Sequence, residues 1–139
     1  MTQKSKYILG GILVASALFI AYSDKQRKSE PVVYVKEKLL GNYNARTIPP
    51  FGIYVSQSQK DNKRIIEHEM EHWKQFQQNG LLGFMFNYAK QNIENGYDGN
   101  ELEIQARKDA GESVYCQNNY TKCVRYGLAK TVHNPDFRK

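Results

Sequence analysis

An α+β fold behind an N-terminal apolar helix is predicted by three features of this 139-residue chain. Residues 7–22 carry no charge. Two short runs rich in β-branched and aromatic residues, at 32–35 and 51–55, come early in the remainder. From residue 62 onward the apolar residues recur at helical spacing, punctuated by capping residues and glycines. Strands first and helices afterwards is the order of an α+β domain, not of alternating βαβ units.

The apolar segment reads YILGGILVASALFIAY, with Lys4 and Lys6 before it and Lys25, Arg27 and Lys28 after it. Sixteen helical residues span about 24 Å, short of the roughly 30 Å hydrocarbon core, so flanking residues must complete a crossing. The tyrosines at both ends suit the membrane interface. We expect a single-pass membrane anchor over residues 7–22. The rival expectation is a secretory signal peptide cut after Ser23, with Ala21 three residues before the cut. Large Phe19 and Tyr22 near that point disfavour cleavage. Residues 24–30 form a charged tether, which divides the chain into an anchor with its tether (1–30) and a folded domain (31–139).

In the domain, Pro31 opens the first β-rich run, and Gly41-Asn42 forms a turn. Pro49-Pro50 breaks the chain before the second strand, residues 51–55. Asp61 or Asn62 caps a helix running to about Asn79, where Gly80 stops it. Apolar residues at 81, 82, 85, 86, 89 and 93 give a second helix ended by Gly96; its stripe is expected to face the core, with a second, short membrane-associated helix as the alternative. Asn100 caps a third helix through about Val114. Trp73 and Phe76 on the first of these helices are expected to pack inside.

Composition narrows the function. With 40% hydrophobic and 24% charged residues the chain is not a disordered polar tract. A mean hydropathy of −0.69 leaves everything outside the apolar run strongly polar. Two cysteines exclude a four-thiolate zinc site and a dense disulfide scaffold. Cys116 and Cys123 are compatible with a bridge across a loop or with two free thiols. The formal charge of +6 divides as +3 over residues 1–30, −1 over 31–104 and +4 over 105–139. This is not one basic stripe on a folded face, so a nucleic-acid partner is not expected. The basic tail suits a solvated face or an anionic lipid surface.

The chemistry lies in His68-Glu69-Met70-Glu71-His72, an HExxH pattern within the first domain helix. Residues i and i+4 of a helix are about 40° out of line and one turn apart, so two imidazoles reach one metal ion from the same face. Glu69 leans beside that face, where its carboxylate can serve water as general base. A solvated Glu/His helix face is the plain alternative. Zinc needs a third protein ligand and an open position. A third histidine in the extended pattern HExxHxxGxxH would stand at Gln78, so that arrangement is excluded. His133 has no motif around it. The carboxylates of the third helix, Glu101 and Glu103, are better placed, although Asn100-x-x-Glu103 is also a capping-box variant and Glu101 suits a helix start by charge alone.

With these residues in view, the chain resembles the gluzincin metallopeptidases, which carry HExxH on one helix and a glutamate ligand on a following helix. Short gluzincin-like domains, including ones from phage and secretion-linked proteins, share an edge strand before the active helix, a Gln after HExxH, a connecting helix, and a Tyr followed by Asn-x-x-Glu-x-x-Ala. The matching residues here are Gly52-Ile53-Tyr54-Val55, His68 to His72 with Gln75, residues 81–93, and Tyr97 with Asn100, Glu103 and Ala106. The likeness covers about residues 44–110. It implies a small zincin-like domain, zinc held by His68, His72 and Glu103, Glu69 as the base, and hydrolysis of a peptide bond. It also implies that small Ala106 lets the third helix approach the active helix closely. Residues 51–55 would then pair with an extended substrate by strand addition. Larger gluzincins add a second subdomain that supplies a His or Tyr to the oxyanion. About 30 residues follow the third helix here, leaving Tyr97, Tyr115 and His133 as candidates for that role.

The expected protein is therefore a membrane-anchored zinc metallopeptidase with its domain outside the cytoplasm, acting on a peptide, a protein or a peptidoglycan cross-link. Signal cleavage would make it secreted or periplasmic instead. The rival function is a non-catalytic zinc-binding membrane protein of a virion or envelope assembly.

Overall fold

A computed structural model describes residues 2–97 and 99–112; Val114, Tyr115, Cys116, Cys123 and His133 lie outside the described residues. The fold is α+β. Helix α1 (Gln3–Arg27) leads into strand β1 (Val33–Lys36), strands β2 (Ala45–Ile48) and β3 (Gly52–Ser56), helix α2 (Lys63–Asn95) and helix α3 (Glu101–Asp109).

Helix α1 is long and apolar enough to cross a membrane, and nearly all of its apolar side chains are exposed. It begins on Thr2, whose side chain accepts the Ser5 N–H. It does not stop where the charges begin. Asp24 pairs with Arg27 at 3.6 Å and Lys28 at 3.2 Å, one helical turn along, and helix continues to Arg27. The expected tether is thus mostly helical and docked. Ser23 is buried, and the Ser29 carbonyl accepts hydrogen bonds from Trp73 Nε1 at 3.0 Å and Gln77 Nε2 at 3.1 Å.

The sheet order is β1-β3-β2, with β1 parallel and β2 antiparallel to β3. This corrects the expectation that residues 51–55 form an edge. β3 has a neighbour on each side, and its Ile53 and Val55 are fully buried. β2, which ends at the Pro49-Pro50 break and was not anticipated, is an edge strand. Gly52 has φ +137°, and a Cβ there would meet the Val32 carbonyl oxygen at 2.4 Å, so only glycine lets β1 close on β3 at this point.

Helix α2 starts on Asn62, whose side chain accepts the Ile65 N–H. It is two limbs, residues 63–79 and 81–95, broken at Gly80 with φ 70° and ψ 173°. The second limb folds back over the first. His72 and Tyr88 would be about 24 Å apart along one straight helix, yet their ring centroids lie 6.0 Å apart. The hydrophobic core forms in this angle, from Trp73, Phe76 and Phe84, with Leu81, Tyr88 and Leu102 against it.

Two expectations about the helices need correction. The stripe at 82, 85, 86, 89 and 93 faces outward, not into the core; Phe84, between its members, is the buried residue. The third helix ends at Asp109, short of Val114, with Ala110 as its cap and Gly111 at φ +69° behind it. Ala106 is fully buried where α3 meets α2.

Candidate metal centre

His68 and His72 project from one face of the first limb of α2, and both are buried. Glu103 reaches them from the first turn of α3. Asn100 fixes that turn: its Oδ1 accepts the Leu102 N–H at 2.9 Å, and its Nδ2 donates to Asn92 Oδ1 and to the Tyr88 carbonyl. The Asn100 N–H goes to the Tyr97 carbonyl. Glu103 therefore does not fold back as a capping box, and its carboxylate is free to turn inward. Glu101, the other candidate, stays outside the group.

The ligand atoms converge. His68 Nε2 and His72 Nε2 are 3.1 Å apart, Glu103 Oε2 is 3.3 Å from His68 Nε2, and Glu103 Oε1 is 3.2 Å from His72 Nε2. Four ligands held tetrahedrally at about 2.05 Å from a zinc ion stand about 3.3 Å from one another. The separations are of that size, but the carboxylate meets the two rings with different oxygens; taking one ligand atom from each residue, the three lie within 4.8 Å of one another. These buried side chains form a group that could hold a metal ion. Among the described residues Glu103 Oε2 is buried with no hydrogen bond and only the His68 ring nitrogen at 3.3 Å, and a cation between the groups would satisfy it.

The far sides of the rings are also arranged. His72 Nδ1 lies 2.9 Å from Gln75 Oε1, while Gln75 Nε2 donates to the Leu102 carbonyl. That second bond leaves Oε1 as the acceptor and puts the His72 proton on Nδ1. His68 Nδ1 stands 3.2 Å from Glu112 Oε1, at ion-pair distance but without a hydrogen bond. The negative Glu112 favours the proton on that nitrogen as well. With both rings neutral, the two Nε2 lone pairs would point at each other and at a carboxylate, an arrangement that calls for a proton or a metal ion between them.

Electrostatics agree. Burial opposes a charged His68, yet Glu103 and Glu112 outweigh it and lift its pKa to about 9. The His72 pKa is likewise raised, against burial, chiefly by Glu103. Burial would raise the Glu103 carboxyl, but the two histidines hold it far below the usual carboxylate range. The Tyr88 hydroxyl donates to Glu103 Oε1; burial and the Glu103 charge push its own pKa well above the ordinary value.

Glu69 is buried beside the triad but is not one of the three. It is held from the edge strand: Thr47 Oγ1 lies 2.6 Å from Glu69 Oε2 and 2.8 Å from the Glu69 carbonyl oxygen. The surface-charge alternative therefore fails for Glu69, while Glu67 is exposed and Glu71 pairs with Lys74. Tyr97 keeps about half its surface exposed, with Arg107 over its ring at 5.2 Å; partial burial and the Glu103 charge push its pKa to about 12.

Thr47, Tyr88 and Glu112 were not found from the sequence. Thr47 lies in the unanticipated β2, whose only signal is a β-branched pair before Pro49. Tyr88 and Glu112 reach the site through the fold-back at Gly80 and the turn after α3. Among known proteins, no family model, no curated protein and no solved structure matches the chain.

Proposed function

We propose that this chain is a membrane-anchored zinc metallopeptidase with a small, gluzincin-like domain. The observation that carries the proposal is the buried group of His68 Nε2, His72 Nε2 and the Glu103 carboxylate, whose ligand atoms, one from each residue, lie within 4.8 Å of one another. Those three side chains would hold the ion and leave a fourth position open. A bound zinc supplies Lewis acidity, which activates water and polarises a peptide carbonyl.

The chain's own residues supply the rest. Glu69 takes the proton of the attacking water and returns it to the leaving amine. Thr47 holds the Glu69 carboxylate from strand β2. Gln75 and Glu112 set the tautomers of the two rings, and Tyr88 steadies Glu103. The outer edge of β2, unpaired among the described residues and tied to Glu69 through Thr47, takes an extended peptide, the role expected of residues 51–55. Tyr97, kept neutral, is the candidate donor to the carbonyl oxygen. The length and apolar character of α1 support anchoring at a membrane, and in this reading the domain stands on the extracytoplasmic side, within reach of peptide, protein or peptidoglycan cross-link substrates.

Metal analysis and peptide hydrolysis by the purified full chain, with Glu69→Gln and His68→Ala beside it, test this. The parent carries about one zinc and cleaves, Glu69→Gln keeps zinc without cleaving, and His68→Ala loses both. Zinc without hydrolysis in the parent would instead favour the non-catalytic envelope or virion protein. A parent without zinc overturns both readings.

A further inference from the structure

We propose that the second limb of α2, residues 81–95, lies on the same bilayer that α1 enters, with Leu82, Met85 and Phe86 among the acyl chains. This rests on α1 being the anchor, as in the function proposed above.

The limb has two apolar faces. Leu81, Phe84 and Tyr88 turn toward Trp73, Phe76 and His72. Leu82, Met85, Phe86, Ala89 and Ile93 fall within an arc of about 100° on a different face. Leu82 is 72%, Met85 57%, Phe86 69% and Ile93 86% exposed. A contiguous apolar strip of this kind marks a contact surface, because isolated exposed residues would not align.

The neighbourhood of the strip identifies its occupant. Phe19, Ile20, Ser23 and Arg27 of α1 line one cavity with Leu81, Leu82 and Gly83. Phe51, itself exposed, sets its ring 6.2 Å from Phe19 and 6.4 Å from Tyr22. Phe19, Ile20 and Tyr22 belong to the uncharged run 7–22. If that run is in lipid, Phe51 and Leu82 stand at the depth of its last turn. The apolar end of α1 then adjoins Phe51 and Leu82, and Met85 and Phe86 follow Leu82 along the limb. Lys90, at the flank of the strip, and Lys25 just past the run suit the headgroup layer. A second copy of the chain would cover the strip but has no such continuity with α1.

The consequence for the site is its height. His72 packs on Phe84 and Tyr88, on the inner side of this limb. Only one helix, about 10–12 Å thick, then separates the metal centre from the lipid. The substrate segment would be one held close to the membrane surface.

The test uses the full chain in nanodiscs of phosphatidylcholine and phosphatidylglycerol, with or without bromine on the upper acyl chain. Trp73, the single tryptophan, is buried and sets the baseline. A Phe86→Trp chain should lose roughly half of its added emission to the bromolipid, as an interfacial helix does. A Gln57→Trp chain, with the new ring past the far end of β3, should lose none. Carbonate extraction of vesicles carrying the same chains reports on α1. Carbonate-resistant chains with Phe86→Trp unquenched overturn this inference and leave the anchored enzyme standing. The same result with a concentration-dependent dimer assigns the strip to a second copy and overturns it too. Chains released by carbonate overturn the inference together with the anchor.

Discussion

The Tyr88 hydroxyl donates to Glu103 Oε1, the oxygen that faces His72 Nε2 at 3.2 Å. The two residues come from different helices, and the bond forms only because α2 doubles back at Gly80. It divides the work of the carboxylate: one oxygen is shared with a phenol, while the other, Oε2, is buried without a hydrogen bond and faces His68. Removing the hydroxyl by Tyr88→Phe leaves the apolar packing in place but frees the carboxylate to rotate. Zinc affinity should fall about 10- to 100-fold, the usual loss for a partner of a metal ligand, as read by competition with a chromophoric chelator. Unchanged affinity would show that Tyr88 only packs.

Glu69 and Thr47 define a second pair, joining α2 to the edge strand β2. Thr47→Val keeps the shape and the β-branch, so β2 should form as before. Zinc content should stay at the parent level while kcat/KM falls about 10- to 100-fold. A loss of zinc in this variant would mean that Thr47 supports the metal site rather than the base.

The ligand choice within α3 separates two acidic residues two positions apart. Glu103 is buried in the triangle, and Glu101 is not part of it. Glu103→Ala should abolish zinc binding, and Glu101→Ala should leave it intact, as measured by metal content after dialysis. Equal zinc in both variants would sink the three-residue site.

The break at Gly80 has φ 70° and ψ 173°, a region that is essentially glycine's alone. A Cβ there would also meet the Arg27 guanidinium at 3.1 Å. Gly80→Ala should cost about 1–3 kcal/mol of stability, seen as a lower melting temperature. Because the fold-back brings Tyr88 and Phe84 to His72, zinc affinity should drop with it.

How far the sequence carried the site depends on how local each contact is. His68 and His72 are one turn apart in one helix, so their pairing is written in spacing alone. Asn100, Glu103 and Ala106 are likewise one short segment. Thr47 and Glu69 lie 22 positions apart, and Tyr88 and Glu103 lie 15 apart; nothing periodic links either pair. The sheet order failed for a related reason. Residues 51–55 look the same as a centre or as an edge strand, and only the pairing of β2 decides. The outward stripe of residues 82–93 shows a further limit. Helical periodicity reports that one face is apolar, not whether protein or lipid covers it.

The acid–base state of the triangle gives an opposite pH response with and without metal. In the metal-free chain, burial works against a charged His68, but Glu103 and Glu112 raise its pKa from 6.5 to about 9. A raised pKa contributes stability that is fully present below pH 6.5 and is lost as the pH climbs through about 9. Glu103, held low by the histidines, contributes above the ordinary carboxylate range and loses its share only in strong acid. The chelated chain should therefore melt at steadily lower temperature from pH 6.5 to 9. Zinc needs the rings neutral, so its binding displaces protons and strengthens as pH rises over the same window. The gap in melting temperature between zinc-loaded and chelated protein should widen from pH 6.5 to 9. A gap that stays constant or narrows would mean that the histidines do not exchange protons for the ion.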